Sequence, residues 1–152
     1  MRILSKRFCD WKPEIKTQLR KLVLTNGYLK HYIVAAPQSV TYVAFSDDGL
    51  IMGWLLVLCF NYHLEANVYV HSKFRNLGLG TKLILRASRT HIPLYLCQWN
   101  SVTEDLFYKF AKRYPERLRV FKWQKYEKDH IEWLQNCGID VSLRCVFTLG
   151  AD

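Results

Sequence analysis

Acidic residues are scarce in this chain of 152 residues: 13 Asp and Glu stand against 22 Lys and Arg, a formal net charge of +9. Such an imbalance points to a polyanionic partner, whether a nucleotide, a nucleic acid or an acidic membrane surface. Cysteine lacks any pairing pattern as well. Cys9, Cys59, Cys97, Cys137 and Cys145 are odd in number, far apart and without a C-x-x-C pair, which argues against a disulfide framework and against a zinc ligand set. No metal is therefore expected. Long apolar runs are missing too: Leu50 to Phe60 is the longest, is interrupted by Gly53, and reaches about half the ~20 residues of a spanning helix. The segment Met1–Phe8 has too short an apolar stretch for a signal peptide. Glycine and proline, 7 and 4 in all, form no linker-like cluster. These absences predict one domain over residues 1–152, cytoplasmic and without a membrane segment.

What the chain does have is apolar bulk. Half of it is hydrophobic, and 14% is aromatic, far more buriable surface than a disordered segment offers. Cys59 and Cys97 lie within apolar runs, where reduced cysteine behaves as a small hydrophobe. The positive charge is uneven. Residues 1–30 carry eight basic and two acidic side chains, and residues 109–133 carry eight and four. Between 71 and 91 stand Lys73, Arg75, Lys82, Arg86 and Arg89 with no acid among them.

Patterning gives an element order. Asp10 is a candidate helix cap, with Pro13 in the first turn. Trp11, Ile15, Leu19, Leu22 and Val23 follow at helical spacing, and Asn26-Gly27 ends the run. Residues 40–45 and 50–60 read as strands joined by a hairpin turn at Ser46-Asp47-Asp48-Gly49. Residues 65–70 alternate into a third strand, and Leu83, Ile84 and Ala87 mark a helix face after Gly80. A short buried strand over Ile92–Gln98 and a helix over about Thr103–Lys112 follow. Then come a strand near 118–123, a helix near 128–136 and a strand over Val141–Leu149. Strand–helix–strand crossovers beside a hairpin predict a mixed sheet and an α/β (α+β) class.

The chemistry concentrates between Leu64 and Leu85. A strand runs into a polar turn, and Gly78 and Gly80, one residue apart, open an amphipathic helix. The first N–H groups of such a helix have no internal acceptor and, with the helix dipole, form an anion site. Arg75 adds a planar fork of donors beside it. A dinucleotide fingerprint is excluded: Gly78 lies eight residues beyond Val70, and position 83 is leucine. A P-loop is excluded because Gly-Lys-Ser/Thr is absent.

Arg75-Asn76-Leu77-Gly78-Leu79-Gly80 resembles the R/Q-x-x-G-x-G/A signature of the GCN5-related N-acetyltransferase (GNAT) superfamily. The preceding Glu65-Ala-Asn-Val-Tyr-Val-His-Ser-Lys-Phe-Arg75 is similar to that family's fourth strand, E-x-x-L-Y-V-x-P-x-x-R. Ser72 replaces the usual proline, and Asn76 stands where glycine is frequent. The resemblance implies a single mixed, centrally splayed sheet flanked by helices, with acetyl-CoA as cosubstrate. It places the pantetheine arm along Val68, Tyr69 and Val70. The pyrophosphate falls on the turn from Arg75 through Asn76, Leu77, Gly78, Leu79 and Gly80 to Thr81. Asn100 after the fifth strand is a further cofactor contact, with Ser101 competing for that place.

The implied reaction moves an acetyl group from acetyl-CoA to a primary amine by direct transfer in a ternary complex. Three needs follow: the amine must lose a proton, an oxyanion must be stabilised, and the departing thiolate must be protonated. The Val70 N–H suits the second. Tyr108, in the helix after the fifth strand, matches the family's thiolate acid. For the base the alternatives are Glu65, His63 and His71. Alternation turns the Glu65 side chain to the face opposite Val68 and Val70. The acceptor is open between small molecules and proteins. Basic and aromatic residues interleave between Lys109 and Trp133, so contact with nucleic acid through 1–30 and 109–130 is an alternative use of the same scaffold. The expected assembly is a monomer or a homodimer.

Overall fold

The computed structural model of the protein describes residues 1–22, 37–59, 63–98 and 101–122, with isolated positions 132, 135 and 136. Asn100, the strand expected over Val141–Leu149 and most of the helix expected near 128–136 lie outside the described residues.

Among the described residues six strands form one sheet in simple chain order. They are β1 (Arg2–Arg7), β2 (Val40–Phe45), β3 (Ile51–Cys59), β4 (Leu64–Val70), β5 (Leu94–Gln98) and β6 (Leu118–Lys122). Among the described residues three α-helices accompany them: α1 (Pro13–Leu22), α2 (Leu79–Ala87) and α3 (Ser101–Arg113). The β2–β3 hairpin closes as the sequence predicts. Gly49 N–H donates to the Ser46 carbonyl at 2.9 Å, and the Ser46 hydroxyl accepts from Leu50 N–H at 3.0 Å.

Alternation assigns the two sheet faces. Tyr42, Ala44, Leu55, Val57, Ala66, Leu94, Leu96 and Leu118 point to one side, where they meet Leu79, Leu83, Ile84 and Ala87 of α2 and Phe107 of α3. Each large aliphatic side chain buried there contributes about 1.5–3 kcal/mol. The intervening residues Val43, Phe45, Trp54, Leu56 and Leu58 are buried on the other side, where α1 lies against β3. Phe8 and Trp11, just ahead of α1, pack their rings against Trp54 at 6.2 Å and Phe45 at 6.0 Å. Buried Thr41 links this corner: its hydroxyl accepts from Trp11 Nε1 and donates to the Lys6 carbonyl, both at 2.7 Å.

Two details depart from the sequence reading. Strand β1 is not foreseen by hydrophobic patterning, because only Ile3 of its six residues is even partly buried. Antiparallel pairing with β2 from Arg2–Phe45 to Arg7–Val40 holds it instead, with Arg2 above the Phe45 ring and Lys6 above the Trp11 ring. Asp10 also takes a different role from capping α1. It sits in a 3-10 turn and receives Arg7 Nε at 2.8 Å and Arg7 Nη2 at 3.1 Å. That hydrogen bond from Arg7 holds the exposed Asp10 carboxyl below its ordinary pKa.

Strands β1 to β4 are antiparallel, while β5 and β6 run parallel to β4. The join between β4 and β5 is short. It pairs Leu64 with Leu94, Glu65 with Tyr95 and Ala66 with Leu96, and stops there. Beyond it β4 continues to Val70 on β3, and β5 continues to Gln98 on β6. The sheet therefore splays at its centre, as the resemblance implies.

Candidate active site

The splay leaves an edge of β4 without its β5 partner. His71 N–H donates to the Met52 carbonyl at 2.9 Å, so that position faces β3. Strand alternation then turns the backbone groups of Val68 and Val70 to the β5 side, where pairing has ended. The Val70 carbonyl on that side accepts from Arg75 Nε at 3.0 Å, and the guanidinium lies above the Tyr69 ring at 5.9 Å. Arg75 thus fastens the turn back onto the strand it leaves. Close approach of β3 to this strip depends on Gly53. A Cβ there would stand 2.7 Å from the Tyr69 oxygen and 3.2 Å from Val70 Cα.

The turn itself is built from two left-handed residues. A 3-10 turn over Ser72–Phe74 begins at His71, whose Nδ1 accepts from Lys73 N–H at 3.2 Å. Asn76 then takes φ +65° and Gly78 takes φ +76°. Asn tolerates this conformation better than most non-glycine residues, which is why the departure from glycine at 76 leaves the turn intact. Gly78 is the N-cap of α2 and offers no side-chain acceptor, the first helical turn has no acid, and the first helical bond of the turn runs from Lys82 N–H to the Gly78 carbonyl. The N–H groups of Leu79, Gly80 and Thr81 precede that bond and lack an intrahelical acceptor. With the exposed Lys82 beside them, they make a surface suited to a phosphate.

A splayed edge followed at once by an anion-receiving helix start is the decisive juxtaposition. The family model for the acetyltransferase (GNAT) domain matches residues 37–111, which span β2 through most of α3. The chain belongs to the GNAT superfamily. No curated protein sequence matches it. As a GNAT domain it is an acetyltransferase by family, with acetyl-CoA as the family's cosubstrate. The residues present fit that group: a strip at Val68–Val70 beyond the end of β5 pairing for the amide-bearing arm, and N–H groups at Leu79–Thr81 that precede the first helical bond for the diphosphate.

Within this GNAT domain the expected site residues are distributed as follows. Val68, Tyr69 and Val70 are half-buried along the open part of β4, and Arg75 through Gly78 are exposed. Leu79 is an exception among the turn residues, since its side chain is buried in the core beneath α2, leaving only its backbone for a ligand. Glu65 is wholly buried, so it is no solvated strand-end carboxylate. Its Oε2 lies 3.4 Å from His63 Nε2. Tyr108 is 44% exposed on α3. Asn100 is outside the described residues. His71 is engaged in capping the 3-10 turn.

Patterning overlooked three further residues. Tyr95 pairs in register with Glu65 and packs its ring 5.1 Å from that of His63; its place on the face opposite Leu94 and Leu96 follows from alternation, but its partners are 30 and 32 residues away in the chain. Trp54, opposite Tyr69 on β3, holds a buried indole N–H without a hydrogen-bond partner among the described residues. Arg117 belongs to the basic run 109–133, yet its Nη2 donates to the Leu85 carbonyl at 2.8 Å and the Ser88 hydroxyl at 2.7 Å. It closes the C-terminal end of α2, where a cation complements the helix dipole. That removes one charge from any nucleic-acid surface.

Proposed function

We propose that the protein transfers the acetyl group of acetyl-CoA directly to a primary amine bound in the wedge between β4 and β5. The observation that carries this reading is the end of β4–β5 pairing at Ala66, which leaves the Val68–Val70 backbone strip leading straight to the N-terminus of α2.

The coenzyme supplies an activated acetyl thioester when bound, and the chain's own groups do the rest. Val68 and Val70 hold the pantetheine amides by strand-like hydrogen bonds, and the N–H groups from Gly78 to Thr81 receive the diphosphate. Glu65 accepts the proton of the amine. Its burial fixes the carboxylate in a space that excludes bulk water, where positioning counts most. The Val70 N–H donates to the oxygen that gains charge as the amine adds, an oxyanion-hole role worth about 10²–10³ in rate. Tyr108 gives its phenolic proton to the departing thiolate.

Calorimetry on two glycine variants tests the cofactor assignment. An added Cβ at Gly80 meets only Val70 Cγ2, at 3.7 Å, an ordinary contact, so Gly80→Ala should fold and still bind acetyl-CoA. Gly80→Trp should fold yet lose binding, because the indole fills the diphosphate position. Equal affinity in the two variants would defeat the assignment. For the chemistry, a thiol-release assay with an amine panel should show turnover that collapses in Glu65→Gln combined with Tyr108→Phe. Undiminished turnover in that double variant would reassign both roles.

A further inference from the structure

We propose that His63 is the proton exit for Glu65, returning the carboxyl group to its basic form after each acetyl transfer. The inference rests on the acetyl-transfer reading above and assigns a second residue to it. Glu65 has a side-chain exposure of 0%, while His63, two residues earlier, reaches 9% with its Nε2 at 3.4 Å from Glu65 Oε2. A base sealed from water can accept a proton once. To act again it must hand that proton to a group that reaches further out, and the imidazole stands in that position. Tyr95 keeps it there: the two rings pack at 5.1 Å with a 58° tilt, and Tyr95 is aligned with Glu65 across the last stretch of β4–β5 pairing. Such a distance is long for a resting hydrogen bond, and catalytic contacts commonly tighten when substrate binds.

The step balances without any co-reactant. The Glu65 carboxyl O–H breaks, its proton forms a bond to His63 Nε2, and the carboxylate is restored. The resulting imidazolium gives up its Nδ1 proton to water, and proton exchange with water then returns the neutral ring to the tautomer with Nε2 free for the next turnover. Histidine can do this because its two nitrogens exchange roles near neutral pH. Tyr95 is a positioning residue in this scheme, acting through the imidazole.

Proton exit has a kinetic signature that a structural role lacks. With acetyl-CoA and spermidine, kanamycin or a lysine-containing peptide as amine probes, His63→Gln should complete the first turnover at the native rate. Its steady-state rate should fall roughly 100-fold or more. Glu65→Gln should lose both phases. Equal slowing of the first and later turnovers in His63→Gln, or an unchanged steady state, overturns the proposal while the acetyl-transfer reading stands. If the unaltered protein binds no acetyl-CoA and acetylates none of the probes, that reading falls and takes this one with it. A second measurement needs no turnover and no variant. Diethylpyrocarbonate should carbethoxylate His63 in the native protein, read by mass spectrometry. Modification of His63 only after denaturation would mean that the imidazole does not reach solvent, and the proposal would be wrong.

Discussion

The two sides of the central wedge are built on different principles, although they belong to one sheet. On one side β1 to β4 run antiparallel, and β3 holds β4 in register from Cys59–Leu64 to Gly53–Val70. On the other, β5 and β6 are parallel and are joined through α3, as parallel strands must be joined by a crossover. Each side satisfies its own backbone groups almost without the other. The sheet can therefore open between them at Ala66 while the flanking strands stay fully paired, which a uniform sheet could not do without orphaning hydrogen bonds on both sides. An opening for a ligand is cheapest at a seam between two structures that each stand alone.

Breaking the antiparallel side should have the largest effect. Gly53→Val places a side chain against the Tyr69 carbonyl at 2.7 Å and Leu79 at 3.4 Å, forcing β3 away from β4. A loss of about 3 kcal/mol or more is expected in chemical denaturation, with acetyl-CoA binding falling alongside. A stable, binding-competent variant would mean that β3 does not set the position of the open strip.

The parallel side is tied to the cofactor helix through Arg117, so the next variant loosens that tie. Arg117→Ala leaves the Leu85 carbonyl and the Ser88 hydroxyl without their cationic donor and should cost about 2 kcal/mol. Arg117→Lys should recover only part of it, because an ammonium offers one nitrogen where the guanidinium uses two, Nη2 on the Leu85 carbonyl and Ser88 hydroxyl and Nε on the Ser88 carbonyl at 3.4 Å. Equal stability of Arg117→Lys and the native chain would make the contact one of charge alone.

A smaller effect is expected where the two sides meet the turn. Asn76 occupies a left-handed conformation, so Asn76→Ala should lose about 1 kcal/mol and Asn76→Gly should be neutral or better. The reverse ranking would show that the Asn side chain, rather than its backbone tolerance, supports the turn.

The smallest is a pH effect at His91, which packs edge-on against Tyr42 at 5.8 Å on the helix-covered face. Partial burial lowers its pKa below the ordinary 6.5, so the unfolded chain binds a proton more readily than the folded one. Stability is then fully present above pH 6.5 and declines as pH falls through the lower folded value. Melting temperatures of His91→Gln should vary less over that acid window than those of the native protein.

Legibility in the sequence follows the same division. The stretch from β2 to α2 was readable because alternation, a hairpin turn and paired glycines are local signals, each within a few residues of its effect. The turn chemistry at Arg75–Gly80 and the opposite facing of Glu65 from Val68 and Val70 came from that. The burial of Glu65 did not, since it depends on packing between strands, such as the register pair with Tyr95 on β5, that no local pattern records. Arg117 looked like a surface charge because its acceptors at 85 and 88 lie about 30 residues earlier. Asp10 looked like a helix cap for the opposite reason: a nearer partner, Arg7, competes for its carboxylate. Strand β1 lacks a periodic signal because it is held by backbone pairing and by cations over rings, neither of which leaves an apolar pattern.

That strand also gives the surplus positive charge a use requiring no ligand. Among the described residues β1 is the outer strand of the sheet, and an outer strand presents free main-chain groups to any extended chain. Arg2 and Lys6 occupy two of its six positions, while the charge of Arg7 is paired with Asp10. Two copies meeting margin to margin would bring these cations face to face, so the sheet carries its own electrostatic guard against edgewise self-association and aggregation. Neutralising Arg2 and Lys6 should leave the wedge untouched and make the protein less soluble.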